Sequence, residues 1–132
     1  MRTRRPTAQE TEQLISFLPV LYAEGFSPII KWTGGSKNNA GAFIVPYPEY
    51  DRKIYDFIKV ASSEYWDDYD YNPEIAGRML EDEETIKTAD IDMIKTMLTY
   101  CVRGERFCSG HWGAMVSDGV IRRLLQRLSD LR

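Results

Sequence analysis

Apolar residues recur at helical spacing in four stretches of the chain and at strand-like spacing in one. Leu14, Phe17, Leu18, Leu21 and Tyr22 share one helix face, with Glu10, Glu12 and Gln13 on the others. Thr7 followed by Glu10 has the layout of a capping box and predicts the helix start. Pro19 cannot donate to the Ile15 carbonyl, which predicts a kink or early end between Ser16 and Pro19, and Gly25 closes the segment. Ile54, Phe57, Ile58 and Ala61 form a second stripe behind Asp51 as N-cap. Ile91, Ile94, Leu98, Cys101 and Val102 form a third, capped by Thr88. In the fourth, Ile121, Leu124, Leu125, Leu128 and Leu131 face inward while Arg122, Arg123, Gln126 and Arg127 face out.

Between the first two stripes the pattern changes to short runs, Pro28 to Trp32 and Ala42 to Val45, separated by the Gly/Ser/Asn-rich stretch Thr33 to Gly41. This predicts a β-hairpin near residues 28–46 with a long mobile loop. Pro46-Tyr47-Pro48-Glu49-Tyr50 reads as a stiff entry to the next helix. Asn72-Pro73 is an N-cap and first-turn pair, predicting a short helix that carries Ile75, Ala76, Met79 and Leu80 inward. The acids Glu81 to Glu84 then read as a solvated connection, and Ser109 as the cap of a short helix carrying Trp112, Ala114 and Met115. No repeat or linker divides the chain. The expectation is a mainly α, single-domain helical bundle over residues 1–132, with a small hairpin and a flexible segment at 1–6.

Composition changes this picture little. A chain of 132 residues with 43% hydrophobic and 12% aromatic content builds one packed core. The basic N-terminus lacks a following apolar segment, and no apolar run is long enough to span a bilayer, so a cytoplasmic protein with no membrane partner is expected. In that compartment Cys101 and Cys108 are expected as reduced thiols.

Charge adds more. The net value of -3 conceals nine acids against Arg78 alone between Glu64 and Glu84, while both ends are basic. Such runs usually form solvated faces. Within this one, Tyr65, Trp66, Asp67, Asp68, Tyr69 and Asp70 interleave aromatics with acids and form a candidate partner-binding surface. Acids spaced like phosphates could also imitate DNA, whereas direct nucleic-acid binding through them is disfavoured by repulsion.

The candidate chemistry lies in R-G-E-R-F-C-S-G-H-W, Arg103 to Trp112. Arginine forks suit carboxylates and phosphates. In a structural role, Arg106 pairs with an acid such as Glu105 or one of the acidic middle, and caps the preceding helix. In a functional role, Arg103 and Arg106 join the free N–H groups of Ser109, Gly110 and His111 as an anion site. Cys108 and His111 stand three apart, as a thiol beside an imidazole would on one helical face, but no third group completes a nucleophile set. Three Cys and His residues in all fall short of a structural zinc site. Gly34-Gly35-Ser36-Lys37 lacks phosphate-loop spacing. No metal, cofactor or catalytic residue is assigned. A non-enzymatic protein-interaction module with an unknown partner, acting through the hairpin and the acidic aromatic segment, is favoured over an anionic-ligand binder or enzyme using Arg103, Arg106, Cys108 and His111, and over a DNA mimic.

The stretch L-T-Y-C-V-R-G-E-R-F-C-S-G-H-W, with Gly119 and the terminal I-R-R-L-L-Q-R-L, resembles a family of small bacterial and phage-associated proteins of unknown function. Gly25 with Trp32, Pro46-Tyr47 and Tyr50, Phe57 and Trp66 extend the similarity more weakly. Trp112, where an aliphatic residue is common, and the expanded acidic middle depart from it. The resemblance implies the fold and carries over no activity.

Overall fold

The computed structural model describes residues 4–37 and 39–132. Residues 1–3 of the segment expected to be flexible, and Asn38 of the hairpin loop, lie outside the described residues. Arg4 pairs with Glu10 and lies over the Tyr65 ring.

Both bonds of the Thr7–Glu10 capping box form, starting α1 at Ala8–Ile15. The helix breaks at Ser16 and resumes as α2, Phe17–Leu21. Pro19 is tolerated because it sits in the first turn of α2, where an N–H would have no intrahelical partner. Strands β1 (Ile29–Thr33) and β2 (Tyr47–Tyr50) form an antiparallel hairpin. The second strand is thus not Ala42 to Val45 but the proline-rich stretch expected as a stiff entry to the next helix. Ala42 to Val45 instead forms the returning limb of a longer arm, joined to the outgoing limb by Gly35 N–H to Ile44 O, Ile44 N–H to Ser36 O and a Lys37–Phe43 bridge.

A bulge between Ile29 and Lys31 resets the side-chain alternation. Ile29, Trp32, Pro48 and Tyr50 thereby share the face turned toward the domain, where Ile29 meets Gly113 and Trp32 meets Gly110. Lys31, Thr33, Tyr47 and Glu49 occupy the opposite face, where Lys31 pairs with Glu49.

Asp51 caps α3 (Arg52–Ala61), and Asn72 caps α4 (Pro73–Glu81). In α4 only Ala76 and Leu80 are buried, because the inward face is set by Gly77 lying on the Tyr100 ring; Ile75, expected inside, is 53% exposed. The acidic connection is itself helical: α5 (Glu83–Lys87) starts at Asp82, which accepts from Glu84 N–H and the Thr85 hydroxyl, and it buries Ile86. Acids favour a helix N-terminus, which turns a charge run into a helix start. Asp90, not Thr88, caps the central helix α6 (Ile91–Arg103), while Thr88 closes α5 by donating to Glu84 O. Helix α7 (His111–Ser117) and the terminal α8 (Val120–Leu131) follow, with Leu131 partly exposed rather than inward.

The core gathers Leu14, Ile54, Phe57, Met97, Leu98, Ile121, Leu124 and Leu128, with Trp66 fully enclosed. The described residues therefore form a mainly helical domain with one small hairpin, as the sequence predicts. No helix among them is long and apolar enough to cross a membrane.

Candidate functional site: the Arg103 to Trp112 corner and the hairpin arm

Helix α6 ends in a short 3-10 turn, Gly104–Arg106, that folds the chain back toward α7. Gly110 takes a left-handed conformation (φ 91°) and leads into α7 without any side-chain cap from Ser109. The cap comes from Glu105. Its Oε2 accepts the Gly110 N–H at 2.8 Å, and its Oε1 accepts the Trp112 N–H at 2.8 Å and the Tyr50 hydroxyl at 2.7 Å. One carboxylate thus joins the 3-10 turn, α7 and β2. Tyr50 Oη in turn accepts the Gly113 N–H, and Trp112 Nε1 donates to Val102 O at 2.8 Å. Burial, reinforced by the bond to Glu105, pushes the Tyr50 hydroxyl well above the usual phenol range, so it remains a donor to the carboxylate.

This arrangement occupies the anion site suggested by the sequence with the chain's own anion. The Gly110 N–H, one of the three groups proposed for it, is bonded to Glu105. Arg103 is committed as well: one terminal nitrogen lies 2.9 and 2.8 Å from the Asp67 oxygens, and its guanidinium covers the Tyr71 ring. The pairing foreseen for Arg106 is made by Arg103. Arg106 is exposed and has no hydrogen bond or ion pair with any described residue.

His111 and Cys108 share a backbone turn, His111 N–H to Cys108 O at 3.1 Å, yet their side chains make no hydrogen bond to each other among the described residues. The Cys108 thiol is exposed and free. The imidazole packs over Gly104 and edge-on to Tyr100, with ring centroids 5.3 Å apart. A Cβ on Gly104 would overlap the imidazole, so the close approach requires glycine there. His111 Nε2 is shielded from solvent and has no hydrogen-bond partner among the described residues. Burial lowers the pKa of the ring, partly opposed by the Tyr100 backbone and Glu105, which favours a neutral packing group. Burial also pushes the Cys101 thiol up to about 12, far from a reactive thiolate.

The acidic aromatic segment is divided. Trp66 is fully buried. Asp67 holds Arg103, and Asp68 is tied to α6 by its N–H to Thr99 Oγ1 at 2.9 Å and by the Thr96 hydroxyl to its Oδ2 at 2.7 Å. Tyr65 is half-buried beneath Arg4. Tyr69 and Asp70 face solvent. The candidate residues therefore do not form one continuous surface. No cluster of three His, Cys, Asp or Glu side chains that could hold a metal occurs among the described residues.

The hairpin of the interaction reading extends into the arm. Its described residues from Gly34 to Tyr47 are all exposed, including Phe43 at 62%, Val45 at 69% and Tyr47 at 46%. Ile30, Trp32 and Ile44 add further exposed apolar surface. Phe107, 84% exposed, stands three residues before the Gly110 on which Trp32 rests. The apolar run Ala42-Phe43-Ile44-Val45 is the signal for the arm in the sequence.

Residues 6–132 match the sequence model of a family of unknown function (DUF6508), and the chain belongs to that family. No curated protein and no solved structure matches the chain.

Proposed function

We propose that this member of the family is a non-enzymatic interaction module whose binding surface is the hairpin arm with Phe107. The observation that carries the reading is the run of apolar side chains on the arm that are left in solvent. Single exposed apolar residues are normal, but a contiguous exposed patch on a soluble domain usually marks an interaction surface. The reactive groups of the corner support the same reading from the other side. Glu105, Arg103 and the Gly110 N–H are engaged with protein, so the anion site read from the sequence is already filled from within the chain.

The test is a comparative capture from cells that naturally produce the protein. The tagged wild type is compared with a variant carrying Phe43→Ser, Val45→Ser, Tyr47→Ser and Phe107→Ser, after matching thermal melts establish that both are folded. A partner retained in stoichiometric amount by the wild type and lost by the variant is the expected result. If both forms retain the same proteins in the same amounts, the arm is not the surface and the reading fails.

A further inference from the structure

The two strands of the hairpin have unequal outer edges. In an antiparallel pair, residues alternate between pairs that exchange both hydrogen bonds and pairs whose N–H and C=O groups turn away from each other. Pro48 has no N–H, so its pair with Trp32 is of the second kind, leaving Lys31–Glu49 and Thr33–Tyr47 as the bonded pairs. The N–H and C=O of Trp32 therefore point outward from the free edge of β1. On β2 the matching outward position is Pro48 itself, and the same parity continues to Pro46. Prolines blunt the β2 edge against further pairing. The β1 edge has no such block, and no other described segment bonds the Trp32 backbone.

Charge decides what fits that edge. Between Gly25 and Pro48 the chain has Lys31 and Lys37 and no acid, although the whole protein is net negative. Among the described residues Lys31 is held by an exposed pair with Glu49 at 3.4 Å. An incoming strand would place alternate residues on the two sheet faces, one set beside Lys31 and the other beside Trp32. A second copy of β1 would bring like charges together, because Lys31 of each copy would lie on the same face near the shared axis. Acids on one face and apolar side chains on the other match both.

We infer that the arm takes an extended segment of a partner protein, with acidic and apolar residues alternating, as a third strand on the free edge of β1. This rests on the reading of the arm as an interaction surface and names the chemistry of what it takes. Main-chain bonds to Trp32 supply affinity, and the lysine and tryptophan faces supply selectivity.

The experiment uses the full chain and a fluorescein-labelled Glu-Val-Glu-Val-Glu-Val-Glu-Val peptide, with Lys-Val-Lys-Val-Lys-Val-Lys-Val as comparison. Anisotropy is expected to rise with the acidic peptide and not with the basic one. Lys31→Glu combined with Lys37→Glu is expected to weaken binding about tenfold or more. Hydrogen exchange is expected to slow about tenfold or more at the Trp32 amide on binding, while Lys31 and Thr33, already bonded to β2, change little. Trp32→Ala keeps the outward N–H and retains weakened binding; Trp32→Pro, which removes that N–H without removing a bond to β2, loses it. Absence of binding by the acidic peptide, equal binding of the basic peptide, or binding without protection at Trp32 overturns the inference. So does a self-dimer, seen by sedimentation, that protects the Trp32 amide without peptide. If Trp32→Pro still captures the cellular partner that the serine variant of the arm loses, the interaction reading stands and strand addition alone falls.

Discussion

The corner from Arg103 to Trp112 holds many groups capable of chemistry, and Arg103, Glu105 and Trp112 among them are already bonded within the protein; the arm from Gly34 to Tyr47 holds few, and its side chains stand in solvent. Both regions are loops rich in glycine, but glycine serves different ends in them. Gly104 admits the imidazole of His111, so its missing side chain tightens a packed joint. Gly34, at φ 90° and with Val45 O only 2.7 Å from where a Cβ would stand, lets two backbone limbs close on each other outside the core. A cluster of polar side chains in sequence is therefore a poor guide to an open site unless the donors and acceptors are paired off first.

The largest effect expected to break this contrast is Glu105→Ala. The carboxylate accepts three hydrogen bonds, and its loss leaves the buried Tyr50 hydroxyl and the Gly110 and Trp112 amides without their acceptor. A loss of about 3–5 kcal/mol is expected, read as a lower midpoint in urea denaturation. Glu105→Gln, which keeps one acceptor oxygen, should lose roughly half as much. If Glu105→Ala melts like the wild type, the corner is not the joint described.

A smaller loss, about 2 kcal/mol, is expected for Gly104→Ala, since the added methyl must displace the imidazole. The same change introduced into a His111→Ala background should cost much less, and thermal melts of the four forms of the cycle measure the coupling. Equal costs in both backgrounds would show that some contact other than the imidazole requires glycine.

These two residues also show how far the sequence could be read. The helical stripes, the capping box at Thr7 and the break between Ser16 and Pro19 were legible because they depend on local spacing and backbone chemistry. The role of Glu105 was not. Its partners lie on β2 and at the start of α7, and nothing local says that Tyr50, 55 residues away, will donate to it. Similarly, Arg103 rather than Arg106 reaches Asp67 because of where α6 packs against the 3-10 turn at Glu64–Trp66, a tertiary fact. The strand at Tyr47–Tyr50 was missed because prolines argue against a strand, whereas here they occupy a position needing no N–H toward β1.

A pH dependence follows from His111, the only histidine. Its folded pKa lies below the ordinary value of 6.5, chiefly through burial. The unfolded chain then binds a proton that the folded chain resists, so stability is full above the unfolded value and falls as pH drops from there toward the folded pKa. Melting temperature should decline between about pH 7 and pH 5, and His111→Phe should flatten that slope. An unchanged slope in the variant would place its origin in the carboxylates.

The smallest expected effect sharpens the comparison most, because it separates two arginines three residues apart. Arg103→Ala removes the contact to Asp67 and exposes the Tyr71 ring, at a cost of about 1 kcal/mol for a partly solvated pair. Arg106 has no partner among the described residues, so Arg106→Ala should change stability by less than about 0.5 kcal/mol. Stability alone, however, would not distinguish an idle side chain from one held ready for a partner. The decisive measurement is Arg106→Ala in the capture experiment with folding unchanged. Retention of the captured partner confines the interaction surface to the apolar arm. Loss extends it across Phe107 to the exposed edge of the corner, making Arg106 the one charged group of that stretch that the fold leaves for an outside carboxylate.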